Sequence, residues 1–472
     1  MSLKKAFWVF SLLALFLVGT ASAYSLGEVK AKVDFREEIR SESWSTFDNG
    51  TGDDSYTFFS SKMRLGFGFT STLVDGYAQL HWTQFLNLPD DAMFGTGKLY
   101  YDANKGENVG YAAISQAWLR LKCPKVKGAS ARFGRFVYNS GLEVLPKDPT
   151  LKWLTKLRIS QRLIGGFEWS RVGRSFDGLQ VVYDQPLWNL TITAMHPTPG
   201  GFYLNRDDPT LNGYSVHDVD IVAIAATLKD SYVPGFDAQL FYYYYNDDRG
   251  LPRDPEIHTF GGHLLYTHDL GPGAMDFLFW GAYQTGVYAG LDHNAYGIAL
   301  EAGYKFKNIT WQPWVRAGLW YGSGDDNPND NDHETFFMMI PTLRIYAFTP
   351  FYNLMNTTYY FGQVILKPHK KLVVRSDLTR LYLTEENDSW YLGSGITQPD
   401  KFGYLAKASG GHDDLATMWD LSLFFKNLYN YNGLKFGLNL YYSHVWGGDV
   451  IKNNYPNDED MDFFYAEAVI SF

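Results

Sequence analysis

The stretch SKMRLGFGFTSTL, residues 61–73, sets Met63, Leu65, Phe67 and Phe69 on one side of an extended chain and Lys62, Arg64, Gly66 and Gly68 on the other. Successive side chains of a strand point to opposite faces, so every second residue here wants hydrocarbon. The pattern recurs in AISQAWLRLKC, where Gln116, Trp118, Arg120 and Lys122 oppose Ala117, Leu119 and Leu121. It recurs in ITWQPWVRAGLWY, where Gln312, Trp314 and Arg316 oppose Trp311, Val315, Leu319 and Tyr321. WDLSLFF places Asp420 and Ser422 on one face, and LKFGLNLYY does so with Lys435, Gly437 and Asn439. About 19 such segments run from 28–40 to 461–472, with 158–166 and 340–363 among them. Bacterial single-chain barrels have even strand numbers, so the count predicts a transmembrane antiparallel β-barrel of about 18 strands.

The connections support that class. DQPLW and LGPGA are tight, while 88–110, 198–216, 322–335 and 385–414 are long, polar and rich in Gly, Asn and Asp. Short periplasmic turns and long extracellular loops are the outer-membrane arrangement. Aromatic residues make up 17% of the chain, as suits strands crossing two membrane–water interfaces. No apolar stretch beyond the N-terminus approaches the roughly 18 to 20 residues of a membrane helix.

Lys4 and Lys5, an apolar run from Ala6 to Gly19 and the small residues Ala21-Ser22-Ala23 have the form of a cleavable signal peptide. Residues 1–23 are therefore read as that peptide and 24–472 as one barrel in the bacterial outer membrane. The terminal FFYAEAVISF alternates back from Phe472, the form of signal that barrel-assembly machinery reads. Cys123, the single cysteine, is expected as a small apolar strand residue.

The formal charge is −10, yet residues 118–174 carry thirteen Lys and Arg against Glu143, Asp148 and Glu168. An Arg or Lys facing lipid at mid-membrane costs about 2 to 4 kcal/mol, which sends these side chains to the lumen, an interface or a turn. Arg64, Arg120, Arg135, Arg316 and Arg375 lie within alternating segments and are candidate pore-lining residues. Rings of Arg and Lys favour anions, and a guanidinium grips a carboxylate through two hydrogen bonds. The bland reading is a network in which Arg pairs with Asp, Arg174 with Asp177 for example.

ARFGRFVYNSG and RISQRLIGGFEWSRVGRSFDGLQVVYD resemble the alginate export protein family, which shows a GR pair on one strand and RLIG, W and GR-FDG beyond it. GSGDDNPNDNDHETFFMMIP is similar to its acidic loop and TF-x-x-x-x-P segment, and DSWYLGSG to its W-Y element. TLRIYAF replaces a His-Tyr-Gly type run, and MWDLSLFF keeps an approximate form of the acidic strand. The resemblance implies an 18-stranded monomeric outer-membrane barrel with an electropositive lumen that conducts polyuronate. It puts Gly134, Arg135, Arg162, Gly173, Arg174, Phe176 and Asp177 on motif positions, with Arg162, Arg174 and Asp177 lining or shaping the pore.

Asp325, Asp326, Asp330 and Asp332 in GDDNPNDND are hard oxygen donors and a weak calcium candidate, without an EF-hand's spacing or closing Glu. The histidines, among them His217, His258, His263, His268 and His444, are scattered, and no HExxH or GxSxG motif is present. The function expected is a passive porin for anionic solutes or acidic polysaccharide, with lipid and assembly machinery as partners and no nucleic acid or cofactor. The alternatives are a porin without anion preference, a barrel hydrolase with a Ser-His or Asp-His pair at the rim, and an adhesin with a plugged lumen.

Overall fold

Eighteen antiparallel strands close into a barrel in the computed structural model, which describes residues 29–211, 213–250, 254–342, 347–393 and 404–472. The first six are β1 (Lys30–Ser45), β2 (Ser55–Thr70), β3 (Val74–Leu86), β4 (Val109–Lys122), β5 (Ala129–Phe136) and β6 (Phe176–Asp184). The next six are β7 (Trp188–Pro197), β8 (Val219–Leu228), β9 (Phe236–Asp247), β10 (Glu256–Asp269), β11 (Gly273–Tyr288) and β12 (Leu291–Phe306). The last six are β13 (Trp314–Gly322), β14 (Thr357–His369), β15 (Leu372–Leu383), β16 (Asp414–Tyr431), β17 (Leu434–Gly447) and β18 (Met461–Ser471). Each pairs with its successor, and β18 returns to β1 with Arg36 opposite Ser471 and Ser45 opposite Asp462. Closure leaves no sheet edge unpaired, the condition for a sheet to cross a bilayer.

The period-two reading holds through the wall. Met63 and Phe67 on β2 are exposed outward, while Lys62, next to Met63 in the chain, is fully buried inside. Leu121 and Val315 face out, and Trp314, Arg316 and Asp420 face in. Tyr and His side chains cap the outward face where loops begin: Tyr242 bonds His258 at 2.8 Å, and Tyr283 bonds Asn294 at 2.8 Å. These are the girdles expected where strands leave hydrocarbon.

Short turns, among them 71–73, 185–187, 270–272 and 370–371, lie at one end of the barrel. The long connections, with described residues 87–108, 137–175, 198–211, 213–218, 323–342, 347–356, 384–393 and 404–413, leave the wall at the other. Three expectations are corrected. Residues 158–166 form no wall strand, because Arg158, Ile159, Arg162, Leu163 and Ile164 are buried on both faces inside the lumen. The predicted strand 340–363 begins only at Thr357, since Phe336–Ile340 and Phe351–Met355 are buried in a loop. Cys123 is exposed in the turn after β4, past the last wall residue. The signal-peptide residues lie outside those described.

Candidate functional site

Loop 137–175 turns inward after β5 and crosses the lumen. Its descending limb reaches the short-turn end, where the backbone N–H groups of Lys147 and Asp148 both donate to Asp230 Oδ2 at 2.7 Å. A helix starts there because Asp148 caps it, accepting from the N–H of Thr150 and Leu151, and Pro149 fills the first turn. That helix, Pro149–Leu154, packs Trp153 against Trp314 of β13 with ring centroids 4.6 Å apart and the planes tilted by 54°.

The chain then climbs back against loop 323–356. The Gly165 N–H donates to Ile340 O at 2.8 Å, Ile340 N–H to Leu163 O at 2.8 Å, and Thr342 N–H to Gln161 O at 3.0 Å. This short clasp joins two loops inside the barrel. Thus the family-like RLIG segment, Arg162–Gly165, is a device for crossing the lumen.

Two charge clusters anchor the loop to opposite walls. On one side Arg158 Nε donates to Glu301 Oε2 at 2.9 Å, and Glu301 also accepts from Arg316 Nη1 at 2.9 Å. Arg316 in turn reaches Asp276, which accepts from Trp314 Nε1 at 2.7 Å. Arg162 lies over the rings of Trp280 and Trp320, 4.9 and 5.0 Å from their centroids. On the other side Arg171 Nη1 donates to Glu467 at 3.0 Å, and its Nη2 to the carbonyl of Glu38. Arg40 shares Glu467 at 2.7 Å, Arg64 reaches both Glu38 and Glu168, and Lys62 Nζ donates to the carbonyls of Glu168 and Ser170. Buried guanidiniums persist only where carboxylates and carbonyls receive their donors.

Six of the eight proposed pore residues point inward: Arg64, Arg120, Arg316 and Arg375 from the wall, Arg162 and Arg174 from the loop. Arg162 and Arg174 are buried within the loop packing, while Arg64 keeps part of its side chain accessible in the lumen. Arg135 and Asp177 are corrected. They share the outward face with Phe133 and Leu179, opposite the inward Phe136 and Phe176.

Asp177 pairs with Arg135, its register partner, through two bonds of 2.8 Å, and Arg174 is turned the other way. Asp207 at 3.0 Å completes a charged group at the long-loop rim, where short strands leave it above hydrocarbon. The motif glycines serve this contact: Gly134 (φ +113°) lies opposite Gly178, and a Cβ on it would come 2.3 Å from Ala117 O.

Glu38, Glu301 and Glu467 were not predicted. They sit at wall positions, and only the tertiary fold brings them to arginines 133, 143 and 296 residues away. In the acidic loop, carboxylates of Asp325, Asp326 and Glu334 lie within 4.8 Å of one another. Asp330 instead accepts from Asn327 Nδ2 and the Asp332 N–H, so the four predicted aspartates do not form one group. Burial, with Asp388 and Asp330 nearby, lifts the Asp325 carboxyl to about 6.

Glu168 gives the loop a pH dependence. Burial would raise its carboxyl, but Arg64, Lys62 and Arg206 outweigh that and hold it below the ordinary value. A depressed carboxyl stabilises above its unfolded value and ceases to do so as pH falls through the folded one. Channel recordings are therefore expected to be quiet at neutral pH and to show loop fluctuations only on acidification below the ordinary carboxylate range. Fluctuations that grow on raising the pH from 5 to 7 would contradict this.

The alginate export family profile matches residues 30–464, spanning the wall and both lumen loops. The chain belongs to the alginate export family. None of the curated protein sequences compared matches it. Solved barrels similar in shape include the outer membrane protein OpdK of Pseudomonas aeruginosa, with TM-score 0.57 and 11% identity over 93% of this chain and 99% of that one. A structure of OpdK with vanillate gives 0.58 and 11%, covering 93% and 98%. OccAB1 of Acinetobacter baumannii gives 0.61 and 10%, covering 94% and 97%. This alginate export family barrel is thus an outer-membrane channel, its long-loop end facing outward and its short turns inward.

Proposed function

We propose that this channel passes anionic solutes, acidic polysaccharide of the alginate type among them, by diffusion down their gradient. The observation that carries the reading is loop 137–175, which takes Arg158, Arg162, Arg171 and Arg174 into the lumen. In the two anchoring clusters the carboxylates, from the wall and from Glu168 of the loop, fix these charges without outnumbering them. Arg36, Arg40, Lys62, Arg64 and Arg171 surround Glu38, Glu42, Glu168 and Glu467, while Arg158, Arg162 and Arg316 surround Glu301 and Asp276. Fixed positive charge between low-dielectric walls concentrates anions and repels cations. Diffusion through it needs no cofactor and no reaction. On this reading residues 1–23 are cleaved on export, and assembly machinery inserts a monomer through its Phe472 end.

Planar-bilayer recordings test the proposal. The open channel is expected to prefer anions, and Arg36→Ala with Arg64→Ala to shift the permeability ratio toward cations. Heat-modifiable gel mobility checks folding, and oligouronates are expected to reduce the current more than neutral sugars. A cation-preferring channel, or a ratio unmoved by the double change, overturns the reading.

A further inference from the structure

Arg120 on β4 and Arg132 on β5 are direct register partners, and both face inward. Like charges placed opposite each other across a strand pair repel, so such a pair is retained only with compensation. Their guanidiniums lie 5.5 and 5.6 Å from the Trp118 ring centroid, and that of Arg132 is also 4.1 Å from the Phe136 ring. Among the described residues neither makes an ion pair, and the Nε of each is buried without a hydrogen-bond acceptor. Nearby carboxylates are already engaged. Asp75, across from Arg120, holds Lys122 Nζ at 2.6 Å. Asp184 accepts from Lys229 Nζ at 2.7 Å and Asn189 Nδ2 at 2.8 Å, and Glu143 accepts from Tyr138 and Gln239.

The pair lines a cavity of about 600 Å³ between the β4–β7 wall and the descending limb of loop 137–175. Gly128, Asp184 and Lys229 place it at the short-turn, periplasmic end, away from the lumen-crossing clusters. Neutral Gln180 and Thr191 share its wall, with apolar Leu142 and Val182. Two parallel-charge forks with free donors suit a carboxylate, and the neutral amides and hydroxyl suit a polyol frame.

We propose that this cavity is a binding site for a small hydroxylated carboxylate, a periplasmic station where an anion dwells before or after passing the loops that cross the lumen. It deepens the anion-channel reading and rests on it for its purpose, but its occupancy is measured without conduction. Calorimetric titration of the whole folded protein in detergent with gluconate is expected to show saturable binding, with glucose silent. Arg120→Gln with Arg132→Gln is expected to weaken gluconate at least tenfold, and single Arg→Lys variants to retain part of the affinity.

Gluconate added to the periplasmic side of a bilayer is expected to interrupt the current, and the double variant to lose those interruptions. Absence of gluconate binding to the wild type, or equal binding to the double variant, overturns the site. A cation-preferring pore that still binds gluconate through these arginines would overturn the channel reading and leave the site standing. Should the double variant lack heat-modifiable mobility, the same titration of Arg120→Gln alone decides the question.

Discussion

Glu301→Ala is expected to lower the stability of the folded barrel by about 3 to 5 kcal/mol, the range for removing one partner of a buried ion cluster. Its side chain is fully buried and receives both Arg158 from the lumen loop and Arg316 from the neighbouring strand. Alanine leaves two buried guanidiniums with the single carboxylate of Asp276. Self-repulsion then drives Arg158 away and loosens the limb that carries it. Urea unfolding in micelles should show the loss, and single-channel traces should show larger, noisier openings. Arg158→Ala is the control: it leaves Glu301 with Arg316, so the wall stays paired and only the loop is freed. Equal stability loss in the two variants would show that the cluster does not act this way.

Arg171→Ala is expected to act on conduction more than on stability. Arg171 clamps the loop to β1 and β18, yet each carboxylate it touches keeps another cation: Arg40 on Glu467, and Lys62 and Arg64 on Glu38. The cost is that of lost charge-assisted hydrogen bonds, about 1.5 to 3 kcal/mol, with no carboxylate orphaned. Freed of its clamp, the segment around Glu168 and Ser170 should leave the β1–β2 wall and widen the passage. Conductance should therefore rise while selectivity moves toward cations, because a lumen cation is gone. Glu467→Gln should move selectivity the opposite way, since it removes the negative charge between Arg40 and Arg171. If both variants shift the ratio in one direction, the change reflects loop position and not charge.

How these anchors arise separates what could be read in the sequence from what could not. Alternation at Met63, Leu65 and Phe67 sufficed for a wall strand, because lipid on one side and a polar lumen on the other impose a period of two. It misled at 158–166, where a lumen segment packed on both sides also mixes apolar and charged residues. That surplus segment is the difference between the roughly 19 alternating segments in the sequence and the 18 strands of the barrel. The family motif was legible as well, though its meaning was not. Arg135 and Asp177 belong together because Gly134 faces Gly178 in the register, and they point outward.

The sequence by itself determined the barrel, its even strand number, its lipid-facing residues and the concentration of positive charge between residues 118 and 174, since these follow from local period and composition. Tertiary structure decided where that charge goes. Whether an arginine meets solute, a carboxylate or the rim depends on barrel closure, which brings Glu38 and Glu467 of the first and last strands to Arg171 and Glu301 to Arg158. No local pattern encodes a contact between residues hundreds of positions apart, because the carboxylate's partner is chosen by the shared space of the lumen.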